Sequence, residues 1–177
     1  MKATVYIATS LDGFIARENG DLDWLHAAGS TSGNEDYGYA AFMETVDAIV
    51  MGRHTYEKVR TFGKWPYTKP VFVLSSRQLV IAPELQGFVG VLSGEPSRIL
   101  SGLAARGMGH VYLDGGKTIQ RFLDAGAIQR LIITRIPILI GRGIPLFGPL
   151  SRDVHLQHVN TRHYPNGFVQ SEYTVIA

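Results

Sequence analysis

The feature that most restricts the fold is a recurring pair: a short run of β-branched apolar residues, then a stretch with helical spacing. The runs are 2–8 (KATVYIA), 47–51 (DAIVM), 70–75 (PVFVLS), 87–92 (GFVGVL), 109–113 (GHVYL), 130–136 (RLIITRI), 153–160 (DVHLQHVN) and 168–176 (FVQSEYTVI). Several early runs are almost wholly apolar, as strands covered on both faces of a parallel sheet are. Between them Tyr39, Phe42, Met43 and Val46 repeat at i, i+3, i+4, i+7, which predicts a helix over 36–46. Pro96 in a first-turn position, inward-facing Ile99, Leu100 and Leu103, and a terminating Gly107 predict another over 96–106. A third, 117–125, buries Ile119, Phe122 and Leu123 and ends at Gly126, and a short fourth spans 55–62. The order is β-α-β-α-β-β-α-β-α-β, then two long strands around the turn signal Asn166-Gly167. It predicts a three-layer α/β/α fold whose central sheet, of about eight strands, is mainly parallel with an antiparallel C-terminal hairpin. No repeat, low-complexity tract or linker interrupts the 177 residues, so one domain, 1–177, is expected.

Composition removes several classes of chemistry. The chain has no Cys, which excludes disulfides, thiolate nucleophiles and cysteine zinc sites and fits a reducing, cytoplasmic setting. A net charge of +2, from 17 basic and 15 acidic residues, is too small to indicate a nucleic-acid or membrane-surface protein. No apolar run reaches the roughly 18 residues of a membrane span. His155 and His158 are three apart on an expected strand, hence on opposite faces, so no metal pair is expected. There is no G-x-S-x-G elbow for a hydroxyl nucleophile.

The informative positions are the C-terminal ends of the strands, where open α/β sheets place their ligands. After DAIVM the chain reads Gly52-Arg53-His54-Thr55. A glycine there permits close approach of a ligand, and a helix start offers free N–H groups; equally, the segment could simply turn a corner into a Thr-capped helix. After VFV come Leu74, Ser75, Ser76 and Arg77, two hydroxyls and a planar guanidinium suited to a phosphate monoester, or a polar turn. After VYL come Asp114, Gly115, Gly116, Lys117, Thr118 and Ile119, a glycine pair opening a helix that matches neither GxGxxG nor the P-loop pattern. After the first strand, Ser10-Leu11-Asp12-Gly13-Phe14-Ile15-Ala16 suits a loop folding over a bound ring, or is simply a tight turn. Several such junctions after successive strands suggest one extended, phosphate-bearing ligand across the sheet edge.

With these segments in place the chain resembles the dihydrofolate reductase superfamily. VMGRHTYE is similar to that family's strand-to-helix junction, VFVLSSR to its adenosine-phosphate strand end, and LDGGKTIQRF to its glycine-pair loop, in order along nearly the whole chain. SLDGFIA and PILIGRGIPLFG resemble, more narrowly, the reductase (C-terminal) domain of bifunctional riboflavin-biosynthesis deaminase-reductases. The resemblance implies a dihydrofolate-reductase-like fold, NADPH as cofactor, and hydride transfer to a small heterocycle, as in a 5-amino-6-(5-phosphoribosylamino)uracil reductase. It implies that Gly52, Arg53, His54 and Thr55 lie along the pyrophosphate and adenosine-side ribose, and Leu74, Ser75, Ser76 and Arg77 at the 2′-phosphate. Gly115, Gly116, Lys117, Thr118 and Ile119 fall beside the pyrophosphate and nicotinamide half. The deaminase half, with its cysteine zinc site, is absent from this sequence. A homodimer is also implied.

Folate reductases carry a carboxylate on the helix before the VMGR strand, and here Asp36 falls in the matching place. It is the candidate catalytic residue, as proton donor or substrate anchor, with Asp12 and Tyr39 as further substrate contacts. The competing reading is that Asn34-Glu35-Asp36 is an acidic cluster complementing a helix start. Two departures bear on the substrate. Residues 21–42, DLDWLHAAGSTSGNEDYGYAAF, replace a motif rich in Thr, Arg and His, and Asp114 stands where folate reductases often have a third glycine. The alternatives to a pyrimidine reductase are a true dihydrofolate reductase and a non-catalytic NADPH-binding module.

Overall fold

The computed structural model describes residues 1–29 and 35–176, so Asn34 lies outside the described residues. In chain order the elements are β1 (Lys2–Ser10), β2 (Phe14–Ala16), α1 (Asp23–Gly29), α2 (Tyr39–Glu44), β3 (Ala48–Gly52), α3 (Arg53–Arg60), β4 (Val71–Leu74) and β5 (Val89–Leu92). There follow α4 (Pro96–Ala104), β6 (His110–Asp114), α5 (Gly116–Asp124), β7 (Arg130–Ile136), β8 (Ile144–Pro145), β9 (Leu156–His163) and β10 (Val169–Val175). Among the described residues the main sheet has eight strands in the order β5-β4-β3-β6-β1-β7-β10-β9. Its first six are mutually parallel, while β10 runs antiparallel to both β7 and β9. This is the expected mainly parallel sheet with a C-terminal hairpin.

The apolar strands are covered on both faces. On one face Val5, Val50, Val111 and Leu113 pack beneath Ile99 and Leu103 of α4 and Ile119, Phe122 and Leu123 of α5. On the other, Ile49, Met51, Val71, Val73 and Tyr112 meet Phe42 of α2 and Tyr56 of α3. Each strand thus contributes alternate residues to two dry layers, which explains why its sequence shows no polar alternation.

The differences from expectation have local causes. The helix expected over 36–46 is only α2, because Tyr37 (φ 58°) and Gly38 (φ 86°) both adopt left-handed backbone just before it. The strand expected at 153–160 lies at Leu156–His163. Its register is set from the hairpin turn, where Gly167 (φ 86°) donates to Tyr164 O and the ladder starts at His163↔Val169. Helix α1 and the small β2·β8 ribbon were not expected; strands of three and two residues are too short to show a period. The ribbon explains GRGIPLFG. A methyl on Gly143 would overlap Ala16 O, so only glycine lets the two strands approach, and Leu146 N then donates to Gly13 O at 3.0 Å.

Candidate functional site

The sheet register sets three junctions side by side. Gly52 is paired with Leu74, and Met51 with Asp114, so the C-terminal ends of β4, β3 and β6 form one continuous edge. At its centre two helices start without a side-chain cap: α3 after Gly52 and α5 after Gly115. Their first N–H groups therefore need an acceptor from elsewhere, and both dipoles present their positive ends to the same edge.

The two junctions interlock. Gly115 has φ 92° and ψ 136°, a conformation that side chains resist, and a methyl on it would overlap Thr55 Oγ1 and stand 3.8 Å from Gly52 N. A methyl on Gly52 would lie 3.0 Å from Thr118 Oγ1. Gly52, Thr55, Gly115 and Thr118, expected along one diphosphate, are thus brought together. Gly116 packs beneath the ribbon, where a methyl would meet Ile15 Cδ1 at 3.0 Å and Pro145 O at 3.3 Å.

The other expected residues are placed as follows. His54 and Lys117 are exposed, and Arg53 Nε donates to Glu57 Oε1 at 2.7 Å one turn along α3. Ser75 Oγ donates to Arg77 O (2.8 Å) and accepts from Arg77 N (3.2 Å), closing a tight polar turn that leaves Ser76 and the Arg77 side chain exposed beside Leu74. Ile119 is not presented to the edge: its side chain is fully buried in the core beneath α5, and its N–H donates to Gly115 O. The apolar periodicity that predicts its burial is what keeps its side chain from the sheet edge.

The acids expected to act on substrate are otherwise engaged. Asp12 accepts from Gly141 N (2.8 Å) and Ile140 N (3.3 Å), fastening the first loop to the 140–141 turn. Its hydrogen bond with Ser10 is the main cause holding its carboxyl below the usual range. Asp36 accepts from Ala40 N (3.0 Å) and Gly38 N (2.9 Å) ahead of α2, and these bonds lower its pKa. It is exposed and ionised, so the raised pKa that would make it a proton donor is not found. The helix-start reading describes its geometry. Tyr39, on α2, is half-buried, and burial raises its hydroxyl to about 12.

Among the described residues the carboxyl with a raised pKa is that of Asp114. It ends β6 on the same face as Tyr112, beneath the layer of Tyr39, Phe42, Trp65 and Tyr67. Burial pushes its carboxyl up to about 6; the Gly115 N–H, which donates to Oδ1 at 2.8 Å, and after it the neighbouring Tyr67 hydroxyl act the other way. In return the carboxylate helps raise Tyr39, Tyr67 and Tyr112, although burial is the larger cause in each. The sequence marks Asp114 only as an irregular start to the glycine loop. Period-two spacing from buried Tyr112 signals its inward face, but Tyr39 and Tyr67 come from other segments and left no sequence signal. Among the described residues no three His, Asp or Glu side chains gather as a metal site, and no helix is long and apolar enough to cross a membrane.

Sheet order, uncapped glycine junctions and a C-terminal hairpin together define the dihydrofolate-reductase-like class of α/β fold. Residues 2–170 match the RibD C-terminal domain, and the chain belongs to that family. It is similar to a Shewanella sp. PV-4 protein named for riboflavin biosynthesis, with 41% identity, a TM-score of 0.95 and all of both chains covered. It is 34% identical over 167 residues to the uncharacterized Bacillus subtilis (strain 168) protein YwjB, covering 92% of each. A dihydrofolate reductase from Enterococcus faecalis, solved with NADP(H), is alike in fold alone: 15% identity, TM-score 0.69, covering 99% of this chain and 97% of that one.

Proposed function

We propose that the chain is an NADPH-dependent reductase that delivers hydride to a small heterocycle, of the pyrimidine-reductase type found in riboflavin biosynthesis. The observation that carries this is the single edge on which Leu74–Arg77, Gly52–Thr55 and Gly115–Thr118 stand beside one partly enclosed acid. The cofactor fits the donors of that edge. The helix starts at Gly52 and Gly115 carry no side-chain cap, so their N–H groups are available to receive a diphosphate. Ser75, Ser76 and Arg77 would take the 2′-phosphate, and Thr55 and Thr118 would flank the diphosphate.

When bound, the reduced nicotinamide supplies a hydride to an electrophilic carbon of the heterocycle. Asp114 supplies the accompanying proton to the adjoining nitrogen, so that a C=N bond becomes CH–NH. An acid poised near 6 retains a protonated fraction at neutral pH and donates readily. Tyr39 borders the same acid and would stack on or hydrogen-bond the ring.

Two measurements check the outer parts of this reading. Arg77→Ala is expected to weaken NADPH binding about 10- to 100-fold, the loss of a charge-assisted contact, with little change for NADH. Equal affinities of the parent for the two cofactors would overturn the 2′-phosphate assignment. The homodimer is proposed to form through β9, an eight-residue edge strand exposed along its whole length, with Leu156 and Val159 on its surface. Such an edge pairs readily with its own copy about a two-fold axis. Val159→Lys is expected to shift sedimentation from dimer to monomer, whereas a monomeric parent would contradict the assignment.

A further inference from the structure

We infer that Tyr37, gripped by the C-terminal hairpin, is the positioning residue that sets where Tyr39 stands at the head of α2. The inference rests on the proposed place of the heterocycle beside Tyr39 and goes one residue beyond it. Among the described residues Tyr37 is the one non-glycine residue with left-handed backbone, at φ 58°. That torsion strains a bulky residue, and the strain persists only where surrounding contacts over-determine it. Such contacts are present at its carbonyl, its ring and its hydroxyl. Tyr37 O accepts from Tyr6 Oη at 2.7 Å and from Gln170 Nε2 at 3.1 Å. The ring is stacked on Phe168 (5.1 Å, 22°) and meets Tyr164 edge-on (4.8 Å, 81°). Its Oη accepts from Asn166 Nδ2 at 2.7 Å. Of these partners Tyr6 belongs to β1, and the others to β10 or to the turn joining it to β9.

The anchors are themselves fixed. Gln170 lies opposite Thr134 in the β10·β7 ladder, and its Nε2 also reaches Thr134 Oγ1 (3.0 Å) and Tyr6 Oη (3.1 Å). Asn166 Oδ1 accepts from Phe168 N at 3.2 Å, so the amide that closes the hairpin turn also holds the phenol. Downstream, Tyr37 and Gly38 turn the chain so that Tyr39 N donates to Asp36 O at 3.0 Å and α2 begins. Tyr6 joins the two ends of this arrangement. Its hydroxyl donates to Tyr37 O, while its ring stands edge-on to Tyr39 (5.5 Å, 64°) and stacks on Phe42 of α2 (4.9 Å, 21°). A turn that needed only left-handed backbone would be met by glycine or asparagine without these contacts. A tyrosine held there against its torsional preference fixes the entry to α2 in one geometry, and with it the ring at the first position of that helix.

Tyr37→Phe deletes the hydroxyl that accepts from Asn166, Gln170→Leu deletes the amide donor to the Tyr37 carbonyl, and together they leave every ring in place. With fluorotyrosine incorporated, the Tyr39 fluorine NMR signal, assigned by its loss in Tyr39→Phe, is expected to shift and broaden in the double variant as the ring leaves its single position. The heterocycle KM should rise about tenfold, the order of one or two hydrogen bonds lost, with kcat and NADPH affinity little changed. Either single change carries the same test if the pair does not fold. A Tyr39 signal superimposable on that of the parent overturns the inference whether or not the protein turns over. A moved signal with an unmoved KM overturns the link to substrate binding. Absence of turnover with every heterocycle would instead count against the reductase reading, and the signal would still decide what Tyr37 does.

Discussion

Asp114→Asn is expected to give a protein that is more stable near neutral pH and nearly inactive. The carboxyl titrates near 6 when folded, against 3.8 for the free side chain, because burial disfavours its charge. Between those values the folded state holds a proton that the unfolded chain has released. The group therefore contributes stability at low pH that is lost as pH rises through the folded pKa, and above about 6 the full penalty remains. Asparagine can still accept from Gly115 N–H but carries no charge. The variant should gain up to roughly 3 kcal/mol at neutral pH, nothing near pH 4, and show a flatter stability curve between, in urea melts at several pH values. Turnover should fall about 10²- to 10⁴-fold, the usual worth of a placed proton donor, with NADPH affinity retained. A variant that is both less stable and fully active would contradict the role given to this acid.

The second large effect belongs to Gly115→Ala. The backbone at φ 92° and ψ 136° is strained for any side chain, and the added methyl would overlap Thr55 Oγ1. The two penalties, torsional strain and overpacking, should together cost roughly 2–5 kcal/mol. The overlap would also push Thr55 and the α3 start away from Gly115, where the diphosphate is proposed to lie, so NADPH binding should be lost as well. Thr55→Ala in the same chain relieves the overlap but not the torsion, and part of the stability, not all, should return. A Gly115→Ala protein that melts like its parent and binds NADPH normally would remove this junction from the cofactor site.

The parts of the fold and site that could be read from sequence are those encoded by neighbours along the chain. The apolar runs at 47–51, 70–75 and 109–113 locate β3, β4 and β6 because both sheet faces are buried and each run is continuous. The junctions behind them follow directly, since a strand end, a glycine and a helix start are adjacent residues. The acid was not legible in that way. Asp36 sits in the position that the resemblance to folate reductases points to, but left-handed backbone at Tyr37 and Gly38 sets it to accept from Gly38 N and Ala40 N ahead of α2. Asp114 acquires its properties only when α2 and the segment after α3 bring Tyr39 and Tyr67 over β6. Ile119 shows the converse: a residue inside a motif, its side chain placed by helical period in the core rather than at the sheet edge.

The most direct test of the site is equilibrium and single-turnover kinetics with NADPH, using parent and Asp114→Asn side by side against a panel of ribosylaminopyrimidines and pterins. Loss of reduced-nicotinamide absorbance in the parent on a pyrimidine substrate, abolished in the variant while NADPH binding persists, is the expected result. Tight NADPH binding by the parent with no oxidation across the panel would make the chain a binding module, and turnover on dihydrofolate alone would make it a folate reductase. Failure of the parent to bind NADPH at all would contradict the cofactor edge itself.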